Sequence, residues 1–168
     1  AHSTDYQTPQ ALRALVEDGY PILKVGPQLT FALREALYGL DLIAADLLPD
    51  YGERPLYRAM EALMLAAPGE WRSHYRGSQA DQRTQRHYSF SDRIRYYWNR
   101  PESGAAVRRL MQALDGCIVR LPLFRQHLPG LSAFAGAPLD PEAVLVAAVQ
   151  QSLDGYRSAC TGSPDVGP

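Results

Sequence analysis

The sequence predicts an α/β fold that is mostly helical and forms the C-terminal portion of a parallel barrel, followed by additional helices. Apolar residues recur at helical spacing over most of the 168 residues, and the apolar run at residues 20–25 (YPILKV) predicts one short buried strand. A strand between two helices is the closing unit of a (β/α)8 barrel, but a whole barrel takes about 250 residues. We therefore expect the last barrel strands and helices in residues 1–48, a helical extension in residues 49–160 and a frayed tail in residues 161–168.

The first helix and the strand have clear boundary signals. Thr8 can accept hydrogen bonds from free backbone N–H groups, and Pro9 suits the first turn of a helix. Apolar residues follow on one helical face, and Gly19 is placed to end the helix. The strand is closed by Gly26 and Pro27. These signals place a helix, a strand and a second helix in the first part of the chain.

The remainder is predicted to be helical, with loops where proline and glycine cluster. Apolar periodicity predicts the following helices: residues 29–48, 56–67, 105–114 and 141–159. Residues 70–98 are polar and aromatic with weak periodicity, which predicts short helices joined by loops. Residues 129–138 are predicted to form a loop.

Composition excludes several classes of function. The formal net charge is -1 and the sequence pI is about 6.5, which argues against general attraction to nucleic acid or to an anionic membrane. No apolar run reaches the roughly 20 residues of a membrane-spanning helix. Cys117 and Cys160 have no metal-type spacing, and two lone thiols fit a reducing cytoplasm. We therefore expect a cytoplasmic protein with no nucleic-acid or membrane partner.

The opening segment, residues 1–9, places polar side chains in a loop before a helix. In a parallel barrel such loops form the active-site face, and backbone N–H groups at a helix start suit phosphate oxygens. Ser3, Thr4 and Asp5 are therefore candidates for binding a phosphate or a substrate. The alternative is that they only shape a turn and satisfy backbone groups.

Two further residues near this loop are candidates for chemistry. His2 is a candidate metal ligand, but a single histidine without companions at ligand spacing does not complete a metal site. Lys24 lies on the predicted strand beside Gly26, where it could bind phosphate or form a Schiff base. The alternative for Lys24 is a salt bridge at the end of the barrel.

The segment from residue 72 to residue 109 is rich in arginine and interleaved with aromatic residues. The arginines are Arg72, Arg76, Arg83, Arg86, Arg93, Arg95, Arg100, Arg108 and Arg109. These residue types are typical of protein interfaces and of phosphate clamps, and they also bind single-stranded nucleic acid. Because the net charge is near zero, nucleic acid is the least favoured of these three ligands. A solvated basic face over buried aromatics remains an alternative. Arg93 and Arg95 are the candidate binding residues of this segment.

Two segments carry a resemblance to a known family. Residues 2–7 together with residues 22–37 (ILKVGPQLTFALREAL), and residues 85–98 (QRHYSFSDRIRYYW), resemble the non-catalytic subunits of class II D-tagatose-1,6-bisphosphate aldolase, formerly labelled tagatose-6-phosphate kinases. The resemblance covers most of this chain but only the C-terminal part of the family. It implies a class II aldolase-like TIM barrel as the fold.

The layout is also similar to that of catalytic class II aldolases, in which a zinc-binding histidine precedes a phosphate loop, a helix and a strand that carries a substrate-binding asparagine. By that resemblance His2 lies at the zinc ligand, and Ser3 and Thr4 lie near the phosphate loop. Gly26 occupies the position of the asparagine. Because glycine has no side chain to hold a substrate hydroxyl, we expect impaired chemistry even where zinc or a sugar phosphate binds.

The resemblance implies an accessory subunit that stabilises and activates a catalytic class II aldolase partner in carbohydrate catabolism. We expect the arginine-rich segment, centred on residues 91–98, to lie at the barrel mouth or the partner interface. The alternatives are a self-sufficient zinc aldolase or isomerase of a ketose phosphate, and a sugar-phosphate-binding protein without chemistry. The sequence has no GxxxxGK[ST] or kinase-type glycine-rich loop, which argues against a kinase.

Overall fold

The structure, a computed structural model, describes residues 1–162, and this part of the chain is almost entirely helical. Its α-helices are α1 (Pro9–Glu17), α2 (Gln28–Leu47), α3 (Pro55–Ala66), α4 (Gln79–Tyr88), α5 (Pro101–Leu114), α6 (Leu121–His127) and α7 (Pro141–Thr161). Short 3-10 turns occupy Pro68–Glu70, Arg93–Tyr97 and Pro129–Phe134. No helix within residues 1–162 is long and apolar enough to cross a bilayer.

Helix α2 is the centre of the molecule. It packs against α7, α5, α6 and α3, and most of its second half is buried. Gly39 allows the closest of these approaches, because a Cβ at that position would lie 2.4 Å from the side chain of Leu128. One continuous hydrophobic core therefore surrounds α2 and joins it to the later helices.

Helix α1 begins and ends as the sequence predicts. The Thr8 hydroxyl accepts a 3.2 Å hydrogen bond from the Ala11 N–H, and Pro9 is the first helical residue. Gly19 adopts a positive φ of 86° just after the helix. Helix α1 buries Leu12 and packs along α7, which comes from the far end of the chain.

The strand predicted at residues 20–25 is wrong. This segment is extended but pairs at one point only: the Ala1 amino group donates to Ile22 O at 2.5 Å, and Lys24 N–H donates to Ala1 O at 3.0 Å. Two such bonds to one residue form the hydrogen-bond pattern of two parallel strands. Tyr20 and Ile22 are 48% and 72% exposed. A strand needs a partner along its whole length, and the described residues provide one for a single position.

The other predicted helices form, with small shifts at their ends. Helix α5 begins four residues earlier than predicted, because Pro101 fits the first turn and lets the helix start there. Helix α6 was not predicted, since its seven residues are too few to show a period. Of the predicted frayed tail, Thr161 is the last residue of α7 and Gly162 caps that helix, whereas residues 163–168 lie outside the described residues.

Candidate functional site

The opening loop, residues 2–7, meets the segment at residues 22–28 at the start of α2. Ala1 is hydrogen-bonded to the backbone of residues 22 and 24. The chain that follows Ala1 and the chain that follows Lys24 therefore start side by side. Side chains of these loops form hydrogen bonds and ring contacts with α2 and with the segment at residues 88–92. The sequence-predicted candidates in the first two segments are therefore neighbours.

Asp5 joins the two loops through its carboxylate. Its Oδ1 accepts hydrogen bonds from Gly26 N–H at 2.8 Å and from Gln28 N–H at 2.9 Å. Gln28 is the first residue of α2, so the negative charge lies at the positive end of the helix dipole. Asp5 thus occupies the place at the start of α2 that could otherwise receive a ligand oxygen.

Gly26 is required by this arrangement. A Cβ at Gly26 would lie 2.6 Å from Asp5 Oδ2, which is closer than any real Cβ contact. The lack of a side chain at this position is therefore coupled to the position of Asp5. The carboxylate and the glycine form one structural unit.

Thr4 is buried and ties the loop to α7. Its hydroxyl donates to Lys24 O at 3.0 Å and lies 3.1 Å from the Tyr156 hydroxyl. The Tyr156 hydroxyl also donates towards Thr4 O and the Gln28 side-chain oxygen, at 2.9 and 3.1 Å. Thr4 is thus a positioning residue whose hydroxyl is occupied within the protein.

Ser3, His2 and Lys24 are exposed on this side of the molecule. Ser3 has a positive φ of 60°, a conformation that few residues other than glycine, asparagine and aspartate adopt.

No group of three or more His, Cys, Asp or Glu side chains within residues 1–162 could hold a metal ion. A zinc site takes three or four ligands. The described residues offer His2 alone, so they do not form a zinc site and we assign no step to zinc.

An aromatic cluster covers the start of α2 next to the opening loop. The rings of Tyr6 and Phe90 lie 4.5 Å apart, and Phe31 lies 5.4 Å from Tyr6 and 5.3 Å from Phe90. The Tyr6 hydroxyl donates to Phe90 O at 2.8 Å. Burial, reinforced by the charges of Asp92 and Asp5, raises the pKa of Tyr6, so its hydroxyl stays protonated.

A buried ion pair lies directly beneath this cluster. Arg34 Nε donates to Asp92 Oδ1 at 3.0 Å, and the two side chains are 2% and 0% exposed. The Thr30 hydroxyl donates to Asp92 Oδ2 at 2.6 Å, and the Arg34 guanidinium lies 4.1 Å from the Phe31 ring centre. Asp92 has a left-handed backbone, with φ 46°. The second half of the chain is thereby anchored to α2 at the site.

Arg93 and Arg95 turn away from the opening loop. Arg93 Nε donates to Glu70 O, and its guanidinium lies 4.0 Å from the Glu70 carboxylate. Arg95 donates to Ser91 O and to the Tyr96 hydroxyl, and its guanidinium lies 4.4 Å from the Tyr96 ring centre. The structure therefore does not bring these two arginines together with the loop candidates. Their contacts are with their own segment and with Glu70.

A second polar network lies in the core between α2, α3 and α4. His87 bonds to the Tyr38 hydroxyl through Nδ1 at 2.6 Å and to Glu61 through Nε2 at 3.0 Å. Arg86 binds the same Glu61 carboxylate with Nε and Nη2 and lies 4.6 Å from the Trp71 ring centre. Arg86 and His87 are thus buried structural groups. Most of the other arginines of the arginine-rich segment are exposed, which agrees with the alternative of a solvated basic face over buried aromatics.

A cavity of about 780 Å³ opens along α2, beginning at Gln28 and Phe31 beside the aromatic cluster. Arg34, Arg54 and Glu35 are among the charged residues of its wall. None of these three residues was predicted from the sequence as a site residue. The signal was present for Arg34, since it falls three residues after Phe31 and three before Leu37, on the apolar face of the predicted helix.

Comparison with known proteins identifies a family and several relatives of this chain. Residues 1–161 match the family described as D-tagatose-1,6-bisphosphate aldolase subunit GatZ/KbaZ-like. The chain is 62% identical over 159 residues to the D-tagatose 6-phosphate 4-epimerase of Agrobacterium fabrum. The aligned region covers 95% of this chain and 37% of that relative. It also matches the crystal structure of a probable tagatose 6 phosphate kinase from Sinorhizobium meliloti. That match has a TM-score of 0.86 and 54% identity, over 94% of this chain and 42% of the other. The chain spans about two fifths of the length of both relatives.

Proposed function

Because the chain belongs to the D-tagatose-1,6-bisphosphate aldolase subunit GatZ/KbaZ-like family, we propose that its full-length protein acts on a phosphorylated D-tagatose, by epimerisation at carbon 4. The observation that carries the choice of reaction is the 62% identity to a relative named D-tagatose 6-phosphate 4-epimerase. This corresponds to the isomerase alternative of the sequence analysis. The accessory aldolase subunit is the second candidate.

The chemistry of the two activities is closely related. The C2 carbonyl of a ketose activates the C3–C4 bond, because cleavage of that bond leaves an enolate on the C1–C3 fragment and an aldehyde at C4. The C4 hydroxyl loses its proton as the bond breaks. If the aldehyde turns over and the enolate attacks its other face, the bond re-forms and the proton returns, which inverts C4. An aldolase breaks the same bond and releases the fragments.

The described residues would contribute to the frame of such a site. In parallel barrels the loops that follow the strands form the active-site face. Ala1 forms two hydrogen bonds with residues 22–24 in the pattern of parallel strands, and Ser3 and Lys24 lie at or just after this pairing, which supports a place for both on that face. Asp5 and Thr4 would position the loops, since their side-chain oxygens bind within the protein. Three points stay predictions: that these loops belong to a barrel, that the chain divides at residue 48, and that the protein is cytoplasmic.

The direct test uses the natural full-length protein with D-tagatose 6-phosphate. We expect D-fructose 6-phosphate to form, which a coupled assay through glucose 6-phosphate detects. In deuterated water, cleavage of the C3–C4 bond leaves the hydrogen at C4 in place, whereas removal of the C4 proton would introduce deuterium there. No fructose 6-phosphate from a folded protein would contradict the proposed epimerase.

The accessory role is favoured by the family's description as an aldolase subunit and by Gly26, which has no side chain for a substrate hydroxyl. Its test is cleavage of D-tagatose 1,6-bisphosphate by a catalytic class II aldolase with and without the full-length protein. Stimulation above the activity of the partner alone, without epimerase activity, would establish this role. The Arg93→Ala/Arg95→Ala variant should then stimulate less, with Arg125→Ala, an exposed arginine on α6, as its control.

Two other functions are outcomes of the same experiments. A thermal shift with a tagatose phosphate, without epimerisation and without stimulation, would indicate a sugar-phosphate-binding protein. The Sinorhizobium meliloti relative is named a probable kinase. The sequence of the present chain contains no recognised phosphate-transfer loop, so we do not propose a kinase.

A further inference from the structure

Two arginines in the wall of the cavity along α2 have buried N–H groups without a hydrogen-bond partner among the described residues. Arg34 is 2% exposed, and its Nη2 atom has no hydrogen-bond partner among the described residues; Nε of Arg54 is likewise buried and unpartnered there. Both residues form part of the wall of the cavity. A buried guanidinium N–H that binds nothing costs free energy, so such an atom in a folded protein calls for a ligand or water.

The charge of Arg54 is not balanced by an acidic neighbour. Within residues 1–162, no carboxylate makes an ion pair with its guanidinium, which lies 4.2 Å from the ring centre of Tyr57 and 5.8 Å from that of Tyr38. Arg34 forms its ion pair with Asp92 through Nε, and its Nη2 atom is buried without a partner among the described residues. The cavity wall therefore contains one arginine without an ion-pair partner and one buried donor without a hydrogen bond.

The backbone at Arg54 is held in an uncommon conformation. Its φ and ψ are 50° and 58°, in the left-handed region, directly before Pro55 at the start of α3. Such a conformation is costly for a residue with a side chain, and strained residues of this kind cluster at active sites and ligand-binding sites. Here it places the guanidinium against Tyr57 and in the cavity wall.

The two arginines both lie beside Tyr38. Arg34 is one helical turn before Tyr38 on α2, and the Arg54 guanidinium lies 5.8 Å from the Tyr38 ring centre. Tyr38 itself lines the cavity together with them. A dianionic group at this point would meet two guanidinium groups, which bind phosphate oxygens through charge-assisted hydrogen bonds.

We propose that the cavity along α2 binds a phosphoryl group at the guanidinium of Arg54, next to the buried guanidinium of Arg34. The volume of about 780 Å³ exceeds that of phosphate and suits a phosphorylated small molecule. Gln151 and Ser152 line the same cavity and offer polar groups to hydroxyls of such a ligand. This site is distinct from the exposed Ser3 and Lys24 of the opening loop, and it does not rest on the proposed reaction.

One acidic side chain faces the same cavity. Glu35 lines the wall, and burial raises the pKa of its carboxyl against the lowering effect of Arg34. His127 also lines the wall, where it is bonded to Asp46 at 2.8 Å. The negative charge of Glu35 opposes the binding of an anion, and its raised pKa makes that charge easier to neutralise.

The test is binding, measured without turnover, on the natural full-length protein. Inorganic phosphate and D-tagatose 6-phosphate are titrated by calorimetry at constant ionic strength, with chloride as the comparison anion. We expect saturable binding of phosphate, and a loss of affinity of about tenfold or more in Arg54→Gln. Arg54→Lys should be intermediate because it keeps the charge but loses the fork of donors.

The matched control is Arg58→Gln, which removes an exposed arginine that pairs with Glu53 at the surface. It should change phosphate affinity less than about twofold. Should Arg54→Gln fail to fold, the side-chain Nε–H resonance of Arg54 in the unaltered protein provides the readout, and it should shift on addition of phosphate. No saturable phosphate binding, or equal effects of the Arg54 and Arg58 variants, would overturn the proposal.

The two titrants also identify the source of the phosphoryl group. If D-tagatose 6-phosphate displaces inorganic phosphate, the site holds the phosphate of a sugar. If only inorganic phosphate binds, the site takes the free anion. Both results support the phosphoryl site, and neither depends on whether the protein epimerises its substrate.

Discussion

At the scale of single residues, the buried imidazole of His87 is held between two hydrogen-bonding partners and one ring. Tyr38 and Glu61 bond to its two nitrogens, and the Tyr57 ring stacks on it with the centres 3.8 Å apart. The Glu61 carboxylate can only accept a hydrogen bond, so Nε2 carries the proton and Nδ1 accepts from Tyr38. Burial lowers the pKa of His87 to about 4, although Glu61 opposes this effect.

Stability should therefore fall on acidification. The unfolded chain takes up a proton at His87 near pH 6.5, whereas the folded protein does so only near pH 4. The contribution of the neutral imidazole is complete above pH 6.5 and is lost between pH 6.5 and pH 4, by about 3 kcal/mol. Burial tends to raise the pKa of Glu61, but Arg86 and His87 lower it overall, so its contribution is lost at still lower pH.

The His87→Gln variant should flatten the dependence of unfolding free energy on pH between pH 6.5 and pH 4. Urea unfolding at several pH values measures this slope. His74 is exposed, so His74→Gln provides the control and should leave the slope unchanged. A slope in His87→Gln as steep as that of the unaltered protein would contradict the assignment.

Gly26 is the second residue whose environment makes a prediction. Ala at this position would force Asp5 away from the N–H groups of Gly26 and Gln28, since the new Cβ would lie 2.6 Å from Asp5 Oδ2. We expect Gly26→Ala to lower the free energy of unfolding by about 1–3 kcal/mol, as chemical denaturation would measure. Gly69→Ala is the control, because nothing lies within 4 Å of a Cβ there. Equal values for the two variants would show that Asp5 moves freely.

At the scale of elements, α3 begins on a carboxylate supplied by α2. Asp41 is fully buried, and its oxygens accept hydrogen bonds from Leu56 N–H and Tyr57 N–H, each at 3.1 Å. The Tyr51 hydroxyl donates to the same carboxylate at 2.7 Å. Because Arg54 provides no side-chain cap, Asp41 satisfies the free N–H groups of the first turn from another helix.

The Asp41→Asn variant should lower the free energy of unfolding by about 2–3 kcal/mol, because an amide cannot accept all three hydrogen bonds with a charge. Chemical denaturation measures this value. Asp50→Asn, at an exposed aspartate, should change it by less than about 0.5 kcal/mol. If circular dichroism and denaturation show no difference between the two variants, the cap is not what holds α3 in place.

The predicted strand at residues 20–25 shows that a local sequence pattern does not specify the partner of a strand. The composition of residues 20–25 is that of a buried strand, yet Tyr20 and Ile22 are exposed and the segment pairs with Ala1 alone. A helix completes its hydrogen bonds within itself, whereas a strand depends on a neighbour that a local pattern cannot specify. The predicted helices therefore formed, and the predicted strand did not.

At the scale of the whole molecule, α7 holds the opening loop from the far end of the chain. The Tyr156 hydroxyl meets the Thr4 hydroxyl, Thr4 O and the Gln28 side chain. The Arg34–Asp92 pair joins α2 to the middle of the chain in the same way. The site is thus assembled from distant parts of the sequence.

Tyr156→Phe tests this link. It removes the shared hydroxyl, and we expect a loss of about 1–2 kcal/mol together with faster hydrogen exchange at residues 4–6 and 24–28. Mass spectrometry of exchanged peptides measures the effect. Tyr20→Phe, at an exposed tyrosine, is the control. Unchanged exchange in the loop peptides of Tyr156→Phe would show that α7 does not hold the loop.

The sequence by itself determined the family and every long helix, because helical periodicity is local and the family's motifs are continuous runs of residues. Its assignment of Asp5, Thr4 and Gly26 as binding candidates stays a prediction, and the fold brings these three residues together at the start of α2. Only the tertiary structure decided that the remaining arginines divide between surface and interior: Arg93 and Arg95 bind near their own segment, Arg86 is buried, and Arg34 and Arg54 share a cavity. These outcomes depend on contacts between residues far apart in the chain, and a local sequence pattern carries no information on which distant residues will meet.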